Sequence, residues 1–270
     1  MNKKRVIILT GAAGGIGSAM ALRFAREGYA LALVDIDQRG IAELTKALDQ
    51  LQAEFLFLEG DLSNPDFLRA IIDQTVQQWG RIDVLINNAA WRTRETLRTI
   101  SLTDWEKTIQ VCLTAPAFLT RYAAEVMEEN ASAGVIINIS SIQSALAGGG
   151  SPAYTACKGA IESLTYESAV LYGPKGIRVV AINPGNITTT LSEDFTDAET
   201  NNISQVFNDD VNGNTPLQRA GNPEEIAGVA YWLSTKDASF ITGTTILADG
   251  GFSHNFNAYS LKQLQFPTQF

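Results

Sequence analysis

Tyr154 and Lys158 are four positions apart in the stretch S-P-A-Y-T-A-C-K. If Pro152 begins a helix, as proline often does at the first helical position, both side chains lie on one face of it. A neighbouring ammonium group favours the phenolate form of a tyrosine, and a phenolate can take a proton from an alcohol. The pair therefore indicates acid–base chemistry on a hydroxyl or carbonyl oxygen.

Ser141 adds a hydroxyl thirteen positions before the tyrosine. It follows an apolar run at residues 135–139 that predicts a buried strand. Because ligands of an open parallel sheet bind at the carboxyl ends of its strands, the Ser141 hydroxyl could hold the same substrate oxygen.

A glycine-rich turn, T-G-A-A-G-G-I-G at residues 10–17, lies between an apolar strand pattern and a helical pattern. Glycine lets the backbone turn tightly and approach a pyrophosphate, whose charge the start of a helix attracts. This context predicts dinucleotide binding at Gly11, Gly15, Ile16 and Gly17. The alternative is a glycine turn without a ligand.

Asp35 directly follows the second predicted strand, residues 31–34, and lies eighteen positions after Gly17. A carboxylate at about this distance accepts hydrogen bonds from the adenosine ribose and repels a 2′-phosphate. We therefore expect NAD, with NADP as the second choice because Arg39 is close in sequence. The alternative for Asp35 is a simple turn or helix cap.

Together these motifs resemble the short-chain dehydrogenase/reductase family: T-G-x-x-x-G-x-G, N-N-A-A at residues 87–90, Ser141, and the Tyr-x-x-x-Lys pair. The resemblance covers nearly all of residues 5–251. It implies an α/β fold, with a Rossmann-like doubly wound parallel sheet of about seven strands, helices on both faces and one domain over 1–270. Tyr154 would then be the acid/base, assisted by Lys158, and Ser141 would position the oxygen.

The resemblance also assigns residues to the cofactor. It puts Asp61 and Leu62 at the adenine, although Asp61 could equally support the next helix start, and it puts the segment after residue 183 at the nicotinamide carboxamide. In full, the expected cofactor-binding residues are Gly11, Gly15, Ile16, Gly17, Asp35, Asp61, Leu62, Asn87, Ala89, Tyr154, Lys158, Pro184, Gly185, Ile187 and Thr188.

Two positions depart from the family pattern. Ala90 replaces the glycine of the usual Asn-Asn-Ala-Gly, which is a small change, and the second departure is more serious. Family members carry an asparagine seven residues after a tryptophan such as Trp105, where it helps to hold a water chain from the active-site lysine, whereas this chain has Cys112. A thiol is a weak donor and acceptor, so a proton relay would use the backbone, Thr114 or waters held differently. Cys112 could also be inert helix packing.

Residues 189–215 are polar and lack clear periodicity, and they follow a cofactor segment, so we expect a substrate lid there. The last nineteen residues, 252–270, contain four phenylalanines and are expected to pack on the same subunit or a neighbour. The mixed polarity of the candidate substrate contacts favours a hydroxylated compound, such as a sugar or polyol, over a steroid. These contacts are Trp91, Gln143, Ser151 and Asn186.

Composition narrows the possible partners. A net charge of −9 over 270 residues argues against nucleic-acid or anionic-membrane surfaces. Two cysteines without C-x-x-C spacing and one histidine suggest neither a disulfide framework nor a metal site. No apolar stretch reaches the length of a membrane span, so we expect a cytoplasmic protein. The family is commonly tetrameric, which implies a homo-oligomer.

The sequence thus predicts an NAD-dependent oxidoreductase that interconverts a secondary alcohol and a ketone. One alternative is an NADPH-dependent ketone or 3-oxoacyl reductase. The other is an NAD-binding sensor without catalysis, which only Cys112 supports.

Overall fold

Seven strands form one parallel sheet in the computed structural model, which describes residues 4–130, 132–197 and 199–270. Most of these segments are buried runs of valine, isoleucine and leucine, the pattern of strands covered on both faces. The strands are β1 Val6–Thr10, β2 Ala30–Asp35, β3 Phe55–Glu59, β4 Val84–Asn87, β5 Val135–Ile139, β6 Arg178–Pro184 and β7 Thr244–Ala248.

The strand order is β3-β2-β1-β4-β5-β6-β7, with every pair parallel. Strand β1 lies between β2 and β4, and its Ile8 is in register with Ala32 on one side and Leu85 on the other. The order reverses at this point, so the carboxyl ends of β1 and β4 border the crevice where such sheets bind ligands. The predicted Rossmann-like α/β fold is confirmed.

Helices cover both faces of the sheet. The helices are α1 Gly15–Arg26, α2 Gln38–Gln50, α3 Pro65–Trp79, α4 Leu102–Ile109, α5 Ala115–Glu129, α6 Pro152–Tyr172, α7 Ser204–Asn214, α8 Pro223–Ser234 and α9 Tyr259–Gln265. One core cluster joins the sheet to α1, α2 and α8, and a second joins the opposite face to α3, α5 and the end of α6.

The helix starts follow local capping chemistry. Asn64 accepts a hydrogen bond from the Asp66 N–H, with Pro65 in the first turn of α3. Asn222 and Glu225 form a capping box at α8. Pro152 is the first residue of α6, as the sequence predicts. Tyr154 and Lys158 are therefore about one helical turn apart on the same helix.

Two segments differ from the sequence prediction. The helix expected over residues 103–129 contains a π-helical turn, Gln110–Thr114, between α4 and α5. The segment 189–215, which the sequence predicts as a lid without clear periodicity, includes α7. Only Ser204 of α7 is buried, so this helix has almost no apolar stripe from which it could be recognised.

None of the helices in the described ranges combines the length and apolar composition that crossing a bilayer requires. Within the same ranges, no three His, Cys, Asp or Glu side chains converge in a way that could hold a metal ion.

Candidate active site

A cleft of about 1450 Å³ runs along the carboxyl ends of the strands. Pockets for one drug-sized ligand are typically about 300–1,000 Å³, so this cleft has room for a dinucleotide and a second small molecule. One end is lined by the glycine turn and Asp35, and the other by Tyr154, by residues of the segment 189–215 and by the tail.

The glycine turn has no room for side chains where the chain crosses itself. Gly11 has a φ of +65°, and a Cβ there would lie 2.7 Å from the Cα of Ala89. A Cβ on Gly17 would lie 1.9 Å from the carbonyl oxygen of Gly11. The bare backbone and the first amides of α1 therefore border the cleft, an arrangement that fits the pyrophosphate of a dinucleotide.

Asp35 is fixed by backbone amides at the same end of the cleft. Its Oδ2 accepts from the Ala13 N–H at 2.8 Å, and its Oδ1 accepts from the N–H groups of Ile36 and Asp37 at 2.7 and 2.9 Å. These bonds hold the carboxylate between the glycine turn and the start of α2. Arg39, which also lines the cleft, is the cation near this end.

The two chemical groups of α6 lie as their spacing predicts. The Lys158 Nζ is 5.2 Å from the centroid of the Tyr154 ring. Lys158 is only 3% exposed, and its Nζ donates to the Ile139 carbonyl oxygen at 2.6 Å. An ammonium has three donors, so this bond anchors the group at the end of β5 and leaves two N–H groups for the cleft.

Ser141 follows β5 and lines the same part of the cleft. It caps a short 3-10 turn, Ile142–Ser144, by accepting from the Gln143 N–H at 3.1 Å. The hydroxyl proton remains free to be donated toward a ligand. The Gln143 Oε1 is buried and has no hydrogen-bond partner among the described residues.

Most of the residues predicted for the site line the cleft, and three do not. The lining set comprises Gly11, Gly15, Ile16, Gly17, Asp35, Asp61, Leu62, Ala89, Trp91, Ser141, Gln143, Tyr154, Lys158, Pro184, Gly185, Asn186 and Ile187. Asn87, Ser151 and Thr188 lie outside it.

The three remaining residues bond to nearby parts of the protein. Asn87 is buried, and its Nδ2 donates to Asn138 Oδ1 at 2.8 Å, bridging β4 and β5. The Ser151 hydroxyl donates to the carbonyl oxygens of Thr93 and Gly150. Thr188 is exposed, and its N–H donates to the Gly221 carbonyl oxygen. Their predicted contacts with ligands stay predictions.

Asp61 combines the two roles that the sequence left open. It lines the cleft, and its Oδ1 accepts from the Ser63 N–H at 2.8 Å in the turn that leads into α3. Asn64, not Asp61, is the N-cap of that helix.

Cys112 makes two hydrogen bonds to the backbone of Trp91, one as acceptor and one as donor. Its Sγ accepts from the Trp91 N–H and donates to the Trp91 carbonyl oxygen, each at 3.3 Å. The thiol is 1% exposed and lies within the π-helical turn. It therefore ties that turn to the loop after β4, which carries the next cleft residues.

Two cleft features are absent from the sequence prediction. Arg92 and Arg94 line the cleft directly after Trp91, and residues of the tail, including Phe252 and Phe256, line it as well. The sequence W-R-T-R, which follows the two asparagines after a predicted strand, could have indicated these arginines. A loop at the carboxyl end of a strand lies at the ligand-binding edge of a parallel sheet. No pattern in the tail gives its position.

Comparisons with known proteins agree with this geometry. A family model described as Enoyl-(Acyl carrier protein) reductase matches residues 11–253. The chain is 33% identical to 3beta-hydroxysteroid dehydrogenase 2 of Eggerthella lenta over 249 residues, covering 91% of this chain and 94% of that protein. It is 32% identical to Glucose 1-dehydrogenase 2 of Bacillus subtilis over 251 residues, covering 92% and 95%.

The solved structures extend the likeness to the fold. A structure of NAD+-bound xylitol dehydrogenase matches with a TM-score of 0.84 at 27% identity, over 93% of this chain and 100% of that one. The three proteins differ in the alcohols that their names give, but all are dehydrogenases. The chain therefore belongs to the short-chain dehydrogenase/reductase family and is an NAD(P)-dependent oxidoreductase of alcohols and ketones.

Proposed function

We propose that this enzyme interconverts a secondary alcohol and its ketone with NAD, and that the alcohol is a hydroxylated compound such as a sugar or polyol. The observation that carries the proposal is the buried Lys158 ammonium, 5.2 Å from the Tyr154 ring and held by the end of β5. A fixed positive charge so close can stabilise the negative charge that develops on the phenolic oxygen during proton transfer.

In the oxidising direction, Tyr154 accepts the hydroxyl proton and Ser141 donates a hydrogen bond to the same oxygen. When bound, the oxidised nicotinamide supplies the acceptor for the hydride that leaves the carbinol carbon. Lys158 keeps donors for the nicotinamide ribose, and the turn from Gly11 to Gly17 holds the pyrophosphate. The protein contributes the alignment of the reacting groups and the electrostatic stabilisation of the charge that develops on them.

The replacement Tyr154→Phe tests this assignment. It removes the only atom of the side chain that can exchange a proton, so we expect turnover to fall by at least about 10²-fold, the usual contribution of general acid–base catalysis. Calorimetric titration should show that NADH still binds. Tyr166→Phe is the matched control, because Tyr166 lies on the same helix but outside the cleft and bonds to Thr245. Near-normal turnover in the Tyr154 variant would end the proposal.

The preference for NAD rests on Asp35. A carboxylate fixed by three backbone amides cannot turn away from a 2′-phosphate, so the repulsion remains when NADP enters. We expect Asp35→Asn to lower the ratio of kcat/KM for NAD over NADP by about 10-fold or more. Glu59→Gln is the control, because Glu59 is in register with Asp35 on the neighbouring strand but does not line the cleft. An unchanged ratio would contradict this role.

An NADPH-dependent ketone or 3-oxoacyl reductase is the second candidate. It is favoured by Arg39, which lines the cleft at the Asp35 end and could pair with a 2′-phosphate. Faster turnover with NADPH in the wild-type enzyme would select it. The sensor alternative depended on Cys112, whose bonds to the Trp91 backbone support a packing role instead.

We also propose that the enzyme is a homo-oligomer. Large apolar side chains are exposed on α6 and on the tail, among them Val170 at 77%, Phe256 at 97% and Leu264 at 81% exposure. Exposed apolar groups of this kind are commonly covered by another subunit.

A further inference from the structure

Two arginines border the cleft beside the proposed catalytic tyrosine. The guanidinium carbon of Arg92 is 5.8 Å from the centroid of the Tyr154 ring. Arg94 follows two positions later, and its guanidinium carbon lies 3.5 Å from the centroid of Phe195 in the lid. A guanidinium so near the reacting phenol can reach a group on a carbon close to the reacting one.

This end of the cleft is positively charged in an otherwise acidic protein. The chain has a net charge of −9, and its carboxylates at the cleft gather around the adenosine end. At the Tyr154 end the only lining carboxylate is that of Asp210, among the residues that the structure describes. The lining cations there are Arg92, Arg94, Lys107 and Lys158.

Asp194 holds both arginines but neutralises only one of them. The Arg92 Nη2 donates to its two carboxylate oxygens at 3.1 and 3.2 Å, and the Arg94 Nη2 donates to Oδ1 at 2.6 Å. Burial lowers the pKa of Arg94, the charge of Arg92 lowers it further, and Asp194 opposes both. A second anion would relieve this excess of positive charge.

Arg92 has a donor that its neighbours do not use. Its side chain is 10% exposed, and its Nε is buried with no hydrogen-bond partner in the part of the chain that the structure describes. Its bonds to Asp194 and to the Leu191 carbonyl oxygen use Nη2 alone. A buried donor without an acceptor is costly, and a bound ligand oxygen would remove that cost.

The geometry points to a substrate that carries a carboxylate close to the reacting hydroxyl, bound by Arg92 and assisted by Arg94. This inference deepens the proposed function and rests on it, because it names the class of alcohol as a hydroxy acid of the sugar-acid type. A carboxylate suits the site because the planar fork of a guanidinium can bind a carboxylate with two parallel hydrogen bonds.

Matched pairs of ligands test the inference directly. The full-length enzyme saturated with NADH is titrated calorimetrically with an aldonate and with the alditol of the same configuration: gluconate with glucitol, galactonate with galactitol, and xylonate with xylitol. We expect the carboxylate of at least one pair to bind about 10- to 100-fold more tightly, the range of charge-assisted hydrogen bonds. Equal affinities within every pair would overturn the inference.

Three variants separate anion binding from lid fastening. Arg92→Gln should abolish the carboxylate preference. Arg98→Gln removes the same charge from an exposed position of the same loop outside the cleft, so it should keep the preference. Asp194→Asn weakens the same contact with the lid but keeps both arginines, so it should also keep the preference. Loss of preference in Asp194→Asn as large as in Arg92→Gln would show that the arginines only fasten the lid, and would overturn the inference.

Turnover of the same pairs with NAD distinguishes the two proposals. Oxidation of alditols and aldonates with equal kcat/KM would refute the carboxylate inference and leave the proposed function intact. Preferential binding of aldonates without oxidation of any alcohol would refute the proposed function and keep the anion site. Sugar phosphates form a third arm, and a preference for phosphate over carboxylate would contradict the assignment to hydroxy acids.

Discussion

Replacing Gly17 by alanine tests whether the glycine turn is as closely packed as its geometry indicates. The new Cβ would lie 1.9 Å from the Gly11 carbonyl oxygen and 3.0 Å from the Ala12 Cα. An ordinary contact begins near 3.4 Å, so the Cβ and the oxygen have to separate by about 1.5 Å. Both neighbours are backbone atoms, so no side-chain rotation can relieve the clash.

The displacement should affect stability and cofactor binding together. Overpacking of this kind costs about 1–3 kcal/mol, which corresponds to a fall in Tm of about 2–5 °C for a domain of this size. A shift of more than an ångström also breaks hydrogen bonds whose useful range is a few tenths of an ångström, so we expect NADH affinity to fall at least about 10-fold.

The assay compares Gly17→Ala with Gly14→Ala by thermal unfolding without cofactor and by calorimetric titration with NADH. Gly14 is in the same turn, has a φ of −69°, and its added Cβ would meet the Gly11 oxygen at an ordinary 3.6 Å. Its Tm should therefore change little. If both variants melt and bind like the wild type, the close crossing of Gly11 and Gly17 is not a constraint and the reasoning fails.

Two further predictions concern the buried thiol and the assembly. Burial raises the pKa of Cys157 to about 12, so the folded protein keeps a proton that the unfolded chain releases near pH 8.5. The free energy of unfolding should then fall as the pH rises from about 8.5 to 12. Cys157→Ala should make that fall smaller when the free energy is measured by urea unfolding at each pH. An equal pH dependence in the two proteins would contradict the prediction. Light scattering after size-exclusion chromatography should give a multiple of 29.2 kDa, and a mass of one chain would refute the proposed oligomer.

The sheet was predictable because its strands are unbroken apolar runs that end in polar residues. Burial on both faces demands such runs, and glycine or asparagine at their ends marks the edge where ligands bind. The same logic predicts Tyr154, Lys158 and Ser141 at one end of the cleft, and all three line it. Tyr154 and Lys158 are one helical turn apart, so the helix alone brings their side chains together.

The rest depended on contacts between segments distant in sequence. Helix α7 is fastened by the stacking of Phe207 on Phe195, with centroids 3.8 Å apart, and such a pair leaves no periodic signal. Arg92 and Arg94 belong to a loop whose course is set by Asp194, about a hundred residues later. Neither the spacing of charged residues nor secondary-structure propensity predicts a contact between residues so far apart in the sequence.

The π-helical turn at Gln110–Thr114 shifts the angular phase of the long helix. A turn with i→i+5 bonding takes in one extra residue, so α4 and α5 are rotated relative to an uninterrupted helix. Helix α4 can thereby face α6 while α5 faces α3 and β4. Deleting a single residue of this turn would restore regular winding and rotate one of these two faces away from its partner, so the length of the segment matters as much as its composition.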